Sequence, residues 1–133
     1  MKVVICGSLR QESKYKKAYL NLQQIGCTIL SPSGYDICDT QNGFVYMRGE
    51  LSLTPKQIEI QHLNFIKQSD FIWLFDSYVG LSTALEIGFA YANKIPILSD
   101  QSINDVTISQ FVTKIDSITA LINFNYQSIN NDI

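Results

Sequence analysis

Within its first thirty residues the chain changes hydrophobic period twice. Lys2–Cys6 is a short, largely β-branched run stopped by Gly7-Ser8, the pattern of a buried strand entering a loop. Tyr15, Ala18, Tyr19, Leu22 and Ile25 then recur three and four apart, one face of a helix, and Gly26 is placed to end it. Residues 27–30 form a second apolar run that stops at Ser31-Pro32. Strand, helix and strand in so short a span make a βαβ unit, whose crossover is right-handed with few exceptions. The two strands must therefore lie parallel, with the helix over one face.

The alternation continues. Thr54-Pro55 is a helix-start signal, and Ile58, His62, Phe65 and Ile66 repeat at helical spacing up to Ser69-Asp70. Residues 71–75 are the clearest strand, followed by a helix over residues 83–93 and a strand over 95–98. In the region to Phe124, the spacing of Phe111, Ile115, Ile118, Leu121 and Ile122 predicts one bent or two short helices. Between residues 33 and 53 the breakers Gly34, Gly43 and Gly49 interrupt any period, and a long loop over the pocket mouth is expected.

At 133 residues the chain is long enough for one core and too short for two, so a single domain over 1–133 is expected. The fold class is α/β: a flavodoxin-like or Rossmann-like parallel sheet of four to five strands with helices on both faces, in the order 2-1-3-4. In that order the chain leaves strand 1 toward one edge and returns on the other side with strand 3. The loops after these two strands open a crevice, and ligands of such sheets bind there.

Composition narrows the ligand. A formal charge of −2, from 10 basic and 12 acidic residues, offers no electrostatic footprint for duplex nucleic acid or an anionic membrane. No run approaches the roughly 20 apolar residues needed to span a bilayer, and the first strand begins without a charged leader, so neither secretion nor membrane insertion is expected. Cys6, Cys27 and Cys38 form no C-x-x-C pair and have no metal spacing with a histidine; they read as reduced thiols, which suggests the cytoplasm. A small-molecule partner is left.

The loop after strand 1, Gly7-Ser8-Leu9-Arg10, offers backbone N–H groups, a hydroxyl and a fixed positive charge. Ser8 and Arg10 suit an anion or a sugar, or anchor the loop by a surface salt bridge. The loop after strand 3 runs from Asp76 through Ser77, Tyr78 and Gly80 to Ser82 and Thr83 at a helix start. Asp76 could bond a sugar hydroxyl or base, or make an Asx-turn with its neighbours. Tyr78 could stack on a base or pack over its own turn, and Gly80 serves the backbone. Asp70 lies at the opposite end of its strand, away from the crevice.

Glu86 reads in two ways. Thr83-Ala84-Leu85-Glu86 fits a capping box, in which the carboxylate satisfies a backbone donor. Alternatively, a carboxylate held ionised at the positive end of its helix, beside the crevice, could attack a sugar C1′. His62 reads as a hydrogen-bonded helix residue or as a proton donor.

Residues 71–76, Phe-Ile-Trp-Leu-Phe-Asp, then 80–92, Gly-Leu-Ser-Thr-Ala-Leu-Glu-Ile-Gly-Phe-Ala-Tyr-Ala, and Lys94-Ile95-Pro96-Ile97 resemble the nucleoside 2-deoxyribosyltransferase-like family, as does Cys6-Gly7-Ser8-Leu9-Arg10. The resemblance covers most of residues 1–98, and its most specific part is the E-I-G-x-A-Y-A helix. That family includes deoxyribosyltransferases and nucleoside 5′-monophosphate N-glycosidases. The resemblance implies that Glu86 is the nucleophile on the anomeric carbon of a nucleoside or nucleotide, without metal or organic cofactor, with Gly7, Ser8, Arg10, Asp76, Tyr78, Gly80 and Ser82 around the substrate. It also implies a homodimer or larger homo-oligomer. One departure stands out: His62 occupies the place where typical members carry an aspartate that handles the leaving base. A non-catalytic nucleotide-binding or sensing module is the alternative that this departure leaves open.

Overall fold

The computed structural model describes residues 1–123. In chain order, β1 (Lys2–Cys6), α1 (Glu12–Gln24) and β2 (Thr28–Ser31) form the expected βαβ unit, followed by a hairpin of β3 (Ile37–Gln41) and β4 (Phe44–Met47). Next come α2 (Pro55–Gln68), β5 (Phe71–Leu74), α3 (Leu81–Ala92), β6 (Ile97–Ser99), α4 (Val106–Ser109), β7 (Thr113–Lys114) and a 3₁₀ turn at Ile118–Asn123. The central sheet is parallel throughout, in the order β2-β1-β5-β6-β7. This is the flavodoxin-like α/β arrangement expected, with the short strand β7 added at one edge.

Both sheet faces are covered because residues alternate sides along a strand. On one face α1 buries Tyr15, Ala18 and Leu22 against Val3, Ile5, Phe71 and Trp73. On the other, Ile66 of α2 and Ile87 and Ala90 of α3 pack on Val4, Cys6, Ile72 and Leu74. Asp70 sits at the far edge, where its carboxylate accepts the Lys2 N–H at 2.7 Å.

Two expectations need correction. Residues 33–53 are not an unstructured loop: they contain the antiparallel β3–β4 hairpin. Asn42 and Gly43 both have positive φ, 52° and 78°, and an Asn-Gly pair in that conformation is the preferred two-residue hairpin turn. The alternation flanking it is weak because β3 is almost wholly exposed. The second correction concerns the C-terminal region, where β7 interrupts the expected helices and leaves only four-residue α4 and the 3₁₀ turn; Phe124 lies outside the described residues. Strand β6 also starts later than expected, at Ile97, since Pro96 has no N–H to donate to the ladder and its carbonyl instead accepts from Ile72 N at 2.9 Å.

Helix α2 starts where Thr54-Pro55 says it should. Thr54 Oγ1 accepts the Gln57 N–H at 3.2 Å, and Gln57 Oε1 accepts the Thr54 N–H at 2.9 Å, a complete capping box. Thr54→Ala is expected to cost about 1 kcal/mol, measurable by urea unfolding with an unchanged denaturant slope.

Candidate active site

A cavity of about 210 Å³ opens at the carboxyl ends of β1 and β5. Its walls come from the loop after β1, the inward face of α2, the start of α3, and the tip of the β3–β4 hairpin at Gly43 and Phe44. Gly7, Ser8, Arg10, Tyr78, Gly80, Ser82, His62 and Glu86 all line it. Asp76 does not. Its buried carboxylate lies 3.1 Å from Lys14 Nζ and accepts the Ser77 N–H at 2.9 Å, so the turn-forming reading describes its contacts. Arg10 is exposed at the rim and makes no ion pair among the described residues, which leaves its charge available to an anion.

The local reason for Gly7 is visible in its backbone. Its φ is +148°, and a Cβ built there would sit 2.5 Å from Phe75 Cε1. The chain can make this tight exit from β1 only without a side chain. Gly88, by contrast, has open space where a Cβ would stand.

Glu86 is not a cap. Helix α3 begins at Leu81 with Gly80 as its N-cap, so Glu86 is the sixth helical residue and lies beyond the first turn. Its side chain is buried, with Oε1 3.4 Å from His62 Nε2. The other ring nitrogen, His62 Nδ1, is 2.6 Å from Ser31 Oγ at the end of β2, and Cys6 Sγ is 3.7 Å from Nε2. The imidazole is thus fixed from both sides. Burial alone would raise the Glu86 carboxyl, but hydrogen bonding and charge interaction with His62, with further hydrogen bonds from Glu59 and Cys6, hold it below its ordinary value. It is therefore a carboxylate at neutral pH, within the cavity wall.

Three groups in this cluster escaped sequence reasoning. Cys6 reads as a small hydrophobe and Ser31 as a strand stop, because only the packing of α2 over β1 and β2 brings them to His62. Glu59 is the third. It lies one turn before His62 and lines the same cavity, and the available signal was a carboxylate within the inward stripe of an amphipathic helix. Burial and the adjacent Glu86 push its carboxyl up to about 9.

Cys6 Sγ, His62 Nε2 and a Glu86 oxygen lie within 4.8 Å of one another, close enough to share a cation. Burial, together with the charge of Glu86 and a hydrogen bond to it, keeps the Cys6 thiol well above its ordinary value. With its proton on, the thiol donates to Glu86 and the cluster is a hydrogen-bonded one; a cation would have to displace that proton.

No family model matches the chain, and no curated protein does. Among solved structures, the 2-deoxyribosyltransferase of Bacillus psychrosaccharolyticus superposes with a TM-score of 0.65 at 18% identity, over 97% of this chain and 96% of that one. The CMP N-glycosidase BcmB of Clostridium botulinum superposes with a TM-score of 0.54 at 16% identity, over the full length of both chains. The chain has the fold of these enzymes. At this identity the likeness extends to the architecture alone, and chemistry must be argued from the side chains.

Among the described residues no helix is long and apolar enough to cross a membrane.

Proposed function

We propose that the protein belongs with the nucleoside 2-deoxyribosyltransferase-like enzymes and cleaves or transfers at the N-glycosidic bond of a nucleoside or nucleoside 5′-monophosphate. The observation that carries this reading is the buried Glu86 carboxyl in the wall of the switch-point cavity, 3.4 Å from His62 Nε2. A Glu86 oxygen attacks C1′ and forms an acylal-type ester while the C1′–N bond breaks and its electron pair leaves with the base, which takes up a proton. Water then attacks C1′ of the ester for hydrolysis, or a nitrogen of a second base attacks it for transfer, and Glu86 returns as carboxylate.

Around this centre each residue has a physical task. His62 Nε2 fixes the carboxylate, and Ser31 fixes the ring. Arg10, with Ser8 and the N–H groups of the loop after β1, is placed to meet a 5′-phosphate, while Tyr78 at the rim offers a face to the base. Asp76, committed to Lys14 and its own turn, is left out of substrate binding.

The test is chromatographic detection of free base from a panel of nucleosides and 5′-monophosphates, with and without an acceptor base. The parent releases or exchanges a base and Glu86→Ala does not. If neither protein turns anything over although nucleotides raise the melting temperature, the pocket binds without catalysis and the enzyme reading fails.

A second copy of the chain completes the pocket in this reading. The cavity is smaller than the roughly 300–1,000 Å³ common for drug-sized ligands. Beside its mouth, Leu81 and Leu85, one helical turn apart on α3, are 93% and 55% exposed. Leu85→Glu is expected to shift the assembly toward monomer in sedimentation velocity and to raise KM more than it lowers kcat.

A further inference from the structure

We infer that Glu59, rather than His62, is the acid that delivers a proton to the departing base. This inference rests on the N-glycosidic reading above and deepens it.

A proton donor needs a proton, an unengaged atom facing the substrate, and a place beside the nucleophile without being consumed by it. His62 fails the second requirement. Its Nδ1 is taken by Ser31 Oγ at 2.6 Å, and its Nε2 by Glu86 Oε1 at 3.4 Å with Cys6 Sγ at 3.7 Å. Turning either nitrogen toward a base would release the carboxylate that the ring positions.

Glu59 has the proton and the place, and the one bond that holds its proton is released in the reaction: it goes to the Glu86 carboxylate, which loses its charge as it attacks C1′. It lines the cavity alongside Glu86, and its Oε1 is buried with no hydrogen-bond partner among the described residues. A buried oxygen left without a partner is costly, and a polar edge of a bound substrate would satisfy it. Two carboxyls in contact away from bulk water cannot both ionise, so the pair retains one proton. Glu86 has hydrogen bonds from His62, Glu59 and Cys6 to support its charge. Glu59 has only the Glu86 carboxylate, so the proton stays on Glu59. The pair is thereby divided into a nucleophile and an acid, the division of labour of retaining glycosidases.

In the reaction, the Glu59 O–H bond breaks and its proton goes to the base nitrogen or to an exocyclic oxygen as the C1′–N bond breaks, leaving Glu59 as carboxylate. In the second half it takes a proton back from the attacking water or acceptor base, so the cycle closes without another reagent.

The groups that act on Glu59 are Glu86 from α3 and Cys6 from β1, with His62, Arg10 and Glu50 elsewhere in the same cavity wall. Of these, Glu86 is the charge that opposes ionisation. For the parent, kcat is expected to fall above about pH 9, as Glu59 loses its proton.

Two measurements test this. Carbon-13 NMR of protein labelled at glutamate carboxyls is expected to show one resonance titrating near pH 9 that is missing in Glu59→Gln. On the nucleoside or nucleotide that the parent cleaves, Glu59→Gln is expected to lose about 10²–10⁴-fold in kcat, with little change in KM and without the alkaline limb, while Glu59→Asp recovers part of the rate. Absence of the high-titrating carboxyl, or a Glu59→Gln kcat within a few-fold of the parent, overturns the inference while leaving Glu86 as nucleophile. If the carboxyl titrates as expected but the parent cleaves nothing, the N-glycosidic reading fails and the donor role falls with it.

Discussion

Glu86→Ala is expected to lower base release by at least about 10⁴-fold, the scale seen when a covalent nucleophile is removed. The change also deletes the acceptor for His62 Nε2 and for the Cys6 thiol, and an unsatisfied buried donor costs about 1–3 kcal/mol. Loss of activity with alanine could therefore reflect a disturbed pocket. Glu86→Gln separates the two effects: the amide keeps the volume and an acceptor oxygen, so the melting temperature stays close to the parent's, yet a neutral amide cannot form the glycosyl ester. Both variants are expected to be inactive by chromatographic assay, with only alanine clearly destabilised. A glutamine variant that retains the parent's rate would remove Glu86 from the nucleophile's role.

Gly7→Ala is expected to have the largest effect on stability among loop substitutions, about 2–4 kcal/mol from backbone strain and overpacking together. At φ +148° the added methyl would stand 2.5 Å from Cε1 and 2.8 Å from Cζ of Phe75. Phe75 cannot easily yield, because its ring is buried and packs edge-on against Tyr15 at 5.7 Å between centroids. The strain falls on the loop that carries Ser8 and Arg10 into the cavity, so substrate affinity should drop as well. Chemical denaturation measures the first effect and KM the second. A variant as stable as the parent would mean that the β1 exit relaxes freely, and the positioning argument for this loop would be lost.

Much of the architecture was open to reading along the chain. The βαβ unit, the alternation that follows it, the crevice and the inward placement of His62 all come from local signals: hydrophobic period, capping chemistry and glycine stops. These signals are strong where an element has one buried face, as in α2, whose capping box and Ile66 stripe bound it at both ends. They fade where an element is exposed. Strand β3 has almost no buried residues, so only the Asn42-Gly43 turn announced its hairpin, and two-residue β7 carries too few positions to show any period. The capping-box spelling at Thr83–Glu86 misled for a related reason. Residue spacing specifies a cap only relative to a helix start, and the start was set by Gly80 rather than by Thr83.

The candidate site divides along the same line. Sequence alone determined that the chain is α/β and that the loops after its first and third parallel strands meet, because these follow from spacing within one element and from the handedness of a crossover; that Glu86 and His62 belong near that meeting point came from the family resemblance. Only the tertiary structure decided what those groups touch. Cys6, Ser31, Glu59, His62 and Glu86 come from two strands and two helices separated along the chain, β1, β2, α2 and α3, and no periodic rule relates the positions across them. The charge on Glu86, the proton on Glu59 and the commitment of Asp76 to Lys14 all depend on contacts of a few ångströms. At that range burial and hydrogen bonding shift an ionisation equilibrium by far more than any sequence neighbour can.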